Sequence, residues 1–229
     1  MYGDFHCHTT MSDGALTPYE LLEVAKKNKV SHLSITDHDT LAAYNDNLIF
    51  SYAKNLGITL LPGVEFSTMD TQNRRYHILG YSENFHQDPR IIAACERMKH
   101  ARIDFATKTA DLLREYGWVV NTDSILRHTV ITKLIIAKTI IDDDRNTSMI
   151  AKHLTNTNKP LISQFIEDWI IPGKPCGNVN IDIPTPAEII QTIHAGGGVA
   201  VLAHPSEYIA MNGDNLDELV KRMVGYGID

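Results

Sequence analysis

The pattern Thr-Pro-x-Glu occurs twice, at Thr17-Pro18-Tyr19-Glu20 and at Thr185-Pro186-Ala187-Glu188. In each copy the threonine suits a helix N-cap, the proline suits the first helical position, and the glutamate can reach back to the cap. Each helix start is followed by a break and then by an apolar run, residues 32–36 (HLSIT) and 199–203 (VAVLA). Such runs fill buried strands. Residues 2–6 read as a strand before the first helix, which runs to about residue 28, and a second helix over 40–55 stops at Gly57. Strands are expected over 58–65 and 76–81. Strand, helix, strand, helix, strand is the pattern of a parallel sheet with crossover helices, so the chain is expected to be α/β.

Between these two stretches the character changes. Residues 88–116, 132–142, 147–154 and 162–170 read as helices with no strand between them. This predicts a helical insertion over 88–170 within a domain formed by residues 1–87 and 171–229. A last helix over 215–224 ends at Gly225-Tyr226-Gly227, and Ile228-Asp229 reads as the start of a further strand, by analogy with Gly57-Ile58.

Lys+Arg 21 against Asp+Glu 28 gives a net charge of −7, so no bulk basic surface exists to hold a polyanion by counterion release. Any nucleic acid would have to be met through bound cations. Cys7, Cys95 and Cys176 form an odd, sparse set without CxxC spacing, which argues against a disulfide framework or a thiolate zinc knuckle. No run approaches the ~18 apolar residues of a membrane span, and His6 leaves no room for a cleaved leader. A cytoplasmic location is therefore expected, with no membrane partner.

Ligand-type side chains recur at the strand ends. His6-Cys7-His8 closes the first strand with Asp13 five residues on, Asp37-His38-Asp39 closes the second, Glu65 closes the third, His77 lies in the fourth and His204 follows the fifth. In a parallel α/β fold these ends share one face, where active sites are built. Because a strand has period two, His6 and His8 project to one side and can bind one ion together, while Cys7 points the other way into packing. Imidazole with carboxylate suits Zn, Mn or Fe. Asp39, beside Thr40, is expected to cap the following helix. His32, His86, His100, His153 and His194 lack this placement and read as surface or helix-end residues; His194 suits the negative end of its helix.

The segments His6-Cys7-His8-Thr9-Thr10-Met11-Ser12-Asp13-Gly14, Ile35-Thr36-Asp37-His38-Asp39-Thr40, Pro62-Gly63-Val64-Glu65, His77-Ile78-Leu79-Gly80-Tyr81 and Ala203-His204-Pro205 resemble the PHP (polymerase and histidinol phosphatase) family, in particular its small stand-alone metal-dependent phosphoesterases. The resemblance implies a distorted (β/α)7 barrel holding two or three Zn, Mn or Fe ions and hydrolysing phosphate esters through a metal-activated water. It implies His6, His8 and Glu65 as ligands of a first metal, Glu65 bridging to a second held by His77 and His204, and Asp13 with His38 as ligands of a third. Glu65, His38 and His204 are the expected catalytic centre among them. Two departures stand out. The family closes its first and third sites with a late Asp-x-His pair, and this chain ends before one, which reads as a barrel truncated before its last strands. The family's Arg-Pro-His-Ile-Ala segment is represented by Lys133-Leu134-Ile135-Ile136-Ala137, without its Arg and His.

Cationic side chains should hold the outer oxygens of a phosphoester. Arg97, Arg102 and Lys174 are the candidates, with His128 as a proton donor or phosphate contact; a solvated surface role is the competing reading for each. The expected substrate is a small phosphomonoester: a nucleotide, a nucleoside bisphosphate, or the 5′ end of a short oligonucleotide. The alternatives are a metal-binding PHP domain without catalysis and a histidinol-phosphatase-like enzyme. A C–N hydrolase is disfavoured, because no lysine ends a strand.

Overall fold

The protein is described by a computed structural model covering residues 2–179, 181–213 and 215–229. The chain divides into two compact units, Met1–Met98 with Ile183–Asp229, and Lys99–Asp182.

In the first unit, β1 (Tyr2–Cys7), α1 (Pro18–Lys27) and β2 (Val30–Ile35) form a strand–helix–strand repeat in which β1 and β2 are parallel. The capping box at α1 forms as the sequence predicts: Thr17 Oγ1 accepts from the Glu20 amide at 3.3 Å and Glu20 Oε2 accepts from the Thr17 amide at 2.8 Å. The helix expected over 40–55 is interrupted. A 3₁₀ turn (Ala42–Tyr44) precedes α2 (Leu48–Asn55), and the polar run between them restarts the helix through Asp46, whose carboxylate accepts from the Leu48 amide. Tyr44 is buried, and its hydroxyl donates to the Ile35 carbonyl at 2.6 Å while accepting from the Ile35 and Gly63 amides. It thereby pins the end of β2 to Gly63.

The single strand expected over 58–65 is two strands, β3 (Thr59–Leu60) and β4 (Gly63–Met69), separated at Leu61-Pro62, where proline has no amide to continue a ladder. β3 extends the parallel sheet in the order β1-β2-β3. β4 begins a second sheet. It pairs antiparallel with β5 (Arg75–Tyr81), which corrects the expectation of parallel strands throughout. Only the turn of residues 70–74 joins them, and a parallel pair needs a crossover of about a dozen residues. The turn is closed by Asp70, whose carboxylate accepts from the Gln72 and Arg74 amides and from Arg74 Nε. The two sheets are joined by one parallel bridge, His38 to Glu65, and the described residues form no closed barrel.

From the first unit α3 (Pro89–Glu115) leads into the second, which contains α4 (Thr122–Leu126), α5 (Lys133–Ile141), α6 (Thr147–His153), α7 (Leu161–Phe165) and a π-helical turn (Ile166–Ile170). Its core includes Trp118 edge-on to Phe165 and Trp169 at 4.9 and 5.3 Å. Buried Asn146 is fully engaged: it accepts from the Val119 amide and donates to the Val119 and Ile140 carbonyls.

The chain re-enters the first unit at α8 (Pro186–Ala195), which carries the second capping box, Thr185 with Glu188. β6 (Val199–Leu202) then pairs antiparallel with β5, so the second sheet has the order β4-β5-β6. α9 (Pro205–Asn212), which the sequence reading did not anticipate, and α10 (Leu216–Tyr226) follow. The unit's core is formed by Leu22, Ile35, Ile49, Phe66, Ile78 and Ile193, all fully buried, among others.

Candidate metal centre

Glu65 sits in β4 with its carboxylate fully buried, and five imidazole nitrogens converge on it. Its Oε2 lies 3.1 Å from His6 Nε2, 3.0 Å from His8 Nε2 and 3.2 Å from His38 Nδ1. Its Oε1 lies 3.1 Å from His77 Nδ1 and 3.0 Å from His204 Nε2. Each position has a local cause. His6 and His8 are two residues apart at the end of β1 and share a face. His77 opposes Ser67 across the β4/β5 ladder, and Ser67 is two residues from Glu65, so His77 and Glu65 are diagonal neighbours on one face of the sheet. His38 is brought to Glu65 by the bridge between the two sheets. His204 follows β6 with φ +27°, a strained backbone for a non-glycine residue and more so before Pro205.

Asp13 joins from the loop after β1. Its carboxylate oxygens lie 3.6 Å from His8 Nδ1 and 3.5 Å from His38 Nε2. The loop is wound tightly around Thr9, whose carbonyl accepts from the Ser12 and Gly14 amides. A Cβ on Gly14 would lie 2.3 Å from the His8 carbonyl oxygen, so the close approach requires glycine. All seven residues read from the sequence as candidate donors are thus gathered in one place: His6, His8, Asp13, His38, Glu65, His77 and His204.

The chemistry of this donor set fits divalent cations. A carboxylate offers about four lone-pair sites, fewer than the five nitrogens around Glu65. His38 Nδ1 is the one left over: it is buried and, despite its 3.2 Å approach, lacks a hydrogen-bond partner. His77 Nδ1 and His204 Nε2 also face each other at 3.2 Å, and both point at the same oxygen. Two ligands at about 2.1 Å from one ion are separated by about 3.0 Å at a right angle and about 3.4 Å at a tetrahedral angle. The observed separations fall at the short end of that range. Burial would raise the Glu65 pKa, but the contacts from His6, His77 and His8 and the charge of His38 outweigh it and hold the carboxylate ionised. Asp13 is likewise held below the usual carboxylate range by its contact with His38, against the opposing effect of burial.

Three residues near the centre carry roles that the sequence reading did not assign. Asp37 is buried beside His38 and accepts from the Thr9 amide, Thr9 Oγ1 and Ser12 Oγ at 2.7, 2.6 and 2.5 Å. Asp39 does not cap a helix. Its carboxylate accepts from the Ser67 amide and hydroxyl of β4 at 2.7 and 2.9 Å, and Thr40 Oγ1 takes the Ala42 amide instead. Glu207 Oε2 lies 2.9 Å from His204 Nδ1. The motif Asp37-His38-Asp39 marked the place, but not which carboxylate would face which element. Cys7 packs against the core, and burial together with Asp4 pushes its thiol up to about 12, consistent with packing.

The cationic candidates are distributed between the units. Arg97 belongs to the first unit, with its guanidinium 3.9 Å from Glu188. Arg102, His128 and Lys174 belong to the second, where Arg102 donates to the Ile131 carbonyl at 2.9 Å. His128 lines a cavity of about 500 Å³ with Asn121, Ser124, Lys138 and Asp142.

A buried carboxylate ringed by imidazoles at the strand ends of an α/β unit is a donor set of the kind found in metal-dependent hydrolases. Residues 4–145 match the PHP domain family, and the chain belongs to that family. It is 33% identical to a 5′-3′ exoribonuclease of Haemophilus influenzae, over 99% of this chain and 76% of the relative. It is 28% identical to a 3′,5′-nucleoside bisphosphate phosphatase of Chromobacterium violaceum, over 90% of this chain and 67% of the relative. A solved structure from Bifidobacterium adolescentis, assigned to the metal-dependent phosphoesterases, superimposes with a TM-score of 0.74 at 24% identity, over 99% of this chain and 75% of that one; this likeness concerns the fold. The chain thus spans about two thirds to three quarters of the length of these proteins. Among the described residues no helix is long and apolar enough to cross a membrane.

Proposed function

We propose that the chain is a metal-dependent phosphoesterase acting on the phosphate of a nucleotide, a nucleoside bisphosphate or the 5′ end of a short oligonucleotide. The observation that carries this reading is the convergence of five imidazole nitrogens on the buried Glu65 carboxylate. His6, His8 and Glu65 would hold one ion, Glu65, His77 and His204 a second, and Asp13 with His38 a third, the ions being Zn, Mn or Fe. Bound there, such ions lower the pKa of a water and neutralise charge on a phosphoryl group. Glu65 stays ionised and is held from both sides by imidazoles, so its two oxygens keep fixed directions. Asp13 is the most exposed of the donors, with its side chain 41% exposed, and marks a side from which substrate would arrive. Arg97, in the same unit as the centre, is proposed to contact the outer phosphate oxygens.

Both curated relatives named above act, by their names, on nucleotide phosphoesters, and this supports the substrate class. The test is hydrolysis of p-nitrophenyl phosphate, a 3′,5′-nucleoside bisphosphate and a short 5′-phosphorylated RNA by chelator-treated protein, before and after addition of Mn²⁺ or Zn²⁺. Activity that requires metal and is abolished in Glu65→Gln is expected. Metal-loaded protein that leaves every one of these esters intact would refute the reading.

A further inference from the structure

The donors of the centre are carried on two kinds of support. Glu65 and His77 stand on paired strands, and His204 immediately follows one. Asp13 stands on a loop whose own ladder ended at Cys7. Among the contacts that tie this loop to the rest of the unit, those made by Asp37 are the shortest. Its Oδ1 accepts from the Thr9 amide and Ser12 Oγ, and its Oδ2 from Thr9 Oγ1. Ser12 Oγ is also 3.5 Å from both His8 Nδ1 and Asp13 Oδ1, so its single proton is committed to Asp37 at 2.5 Å. The backbone on either side of His38 is fixed to the other sheet: the Glu65 amide donates to the Asp37 carbonyl, and the Asp39 amide donates to the Glu65 carbonyl. Asp37 is therefore bonded by its side chain to the loop and by its backbone to the strand of Glu65.

We infer that Asp37 is a positioning residue which locks residues 9–13 onto β4, so that the Asp13 and His38 donor pair is in place only while that lock is closed. The Glu65, His77 and His204 group does not depend on it. The inference rests on the metal reading proposed above for its second measurement, but not for its first. Asp37→Asn keeps the shape while replacing one acceptor oxygen by a donor, which must then face Thr9 or Ser12.

The first measurement is amide hydrogen exchange of the metal-free protein. The Thr9 and Gly14 amides are expected to exchange at least about tenfold faster in D37N, as befits loss of hydrogen bonds to a charged group, while the amides of β4 and β5 are unchanged. The second is equilibrium dialysis against Mn²⁺. The weakest class of bound ion is expected to lose about tenfold to a hundredfold in affinity, the range for removing a group that orients ligands, with the tightest class unchanged. A role in general folding would move both classes and the sheet amides together, and that result overturns the inference, as does wild-type exchange and binding in D37N. Should D37N fail to fold, Ser12→Ala removes one donor only and must show the same selective loss; an unselective effect or none overturns the inference. If wild-type protein binds no Mn²⁺ or Zn²⁺, the metal reading fails, and the exchange measurement still decides whether Asp37 holds the loop.

Discussion

Gly14→Ala tests the geometry of the loop that carries Asp13. The added Cβ would lie 2.3 Å from the His8 carbonyl oxygen and 2.6 Å from the Thr9 nitrogen. Both are backbone atoms, so no side-chain rotation relieves the contact. Restoring an ordinary separation of 3.4 Å from 2.3 Å means opening the loop by 3.4 − 2.3 = 1.1 Å. Overpacking of this kind costs about 1–3 kcal/mol, and the Gly14 N–H to Thr9 carbonyl bond at 2.9 Å opens with it. For a chain of this size each kcal/mol lowers the melting temperature by about 2–4 °C, so a fall of several degrees is expected in the metal-free protein. Because His8 is one side of the collision, phosphoester hydrolysis should fall by about a hundredfold, the scale for a misplacement of about 1 Å. The assays are thermal unfolding followed by circular dichroism, and turnover of p-nitrophenyl phosphate with Mn²⁺. Gly225→Ala is the control: it lies in α10, nothing is within 4 Å of its Cβ, and alanine there should stabilise by up to about 1 kcal/mol. A Gly14→Ala protein that melts and turns over like wild type would refute the close approach and the placement of the loop derived from it.

In metal-free protein, burial pushes the His8 pKa down but contact with Glu65, and the charges of Asp13 and Asp37, push it further up, so it lies above its usual 6.5. A raised folded pKa means stabilisation that is complete below 6.5 and lost as pH rises through the folded value. The stability difference between wild type and His8→Asn, from urea unfolding, should therefore shrink as the pH rises above 6.5; a difference that grows with pH contradicts the His8 to Glu65 contact. Tyr44→Phe removes a buried hydroxyl bonded to both backbone groups of Ile35 and to the Gly63 amide, and is expected to cost about 1–3 kcal/mol in the same assay. Adding Mn²⁺ at 100 times its dissociation constant should stabilise wild type by about 2.7 kcal/mol, and Glu65→Gln should abolish most of that gain; an equal gain in the variant would place the ions elsewhere.

Much of this architecture was legible locally. Both Thr-Pro-x-Glu segments are capping boxes, because a cap needs only residues within one turn of each other. The seven candidate donors could be picked out because imidazoles and carboxylates recurring at apolar strand ends have no packing reason to be there. The direction of β5 is also a local matter: residues 70–74 are too few for a crossover between parallel strands, and a short polar connection between two alternating segments is a hairpin pattern.

The sequence by itself determined the α/β class, the two capping boxes and the identity of the candidate donors, since each depends on residues close along the chain. Only the tertiary structure decided that β6 joins the β4/β5 hairpin in a separate antiparallel sheet, that Asp39 serves Ser67 and not a helix, and that Asp37 ties the Asp13 loop to the strand of Glu65. Asp37 and Thr9, like Asp39 and Ser67, are 28 positions apart, and β6 lies more than a hundred positions beyond β5; a carboxylate takes whichever donors the packed chain brings within about 3 Å.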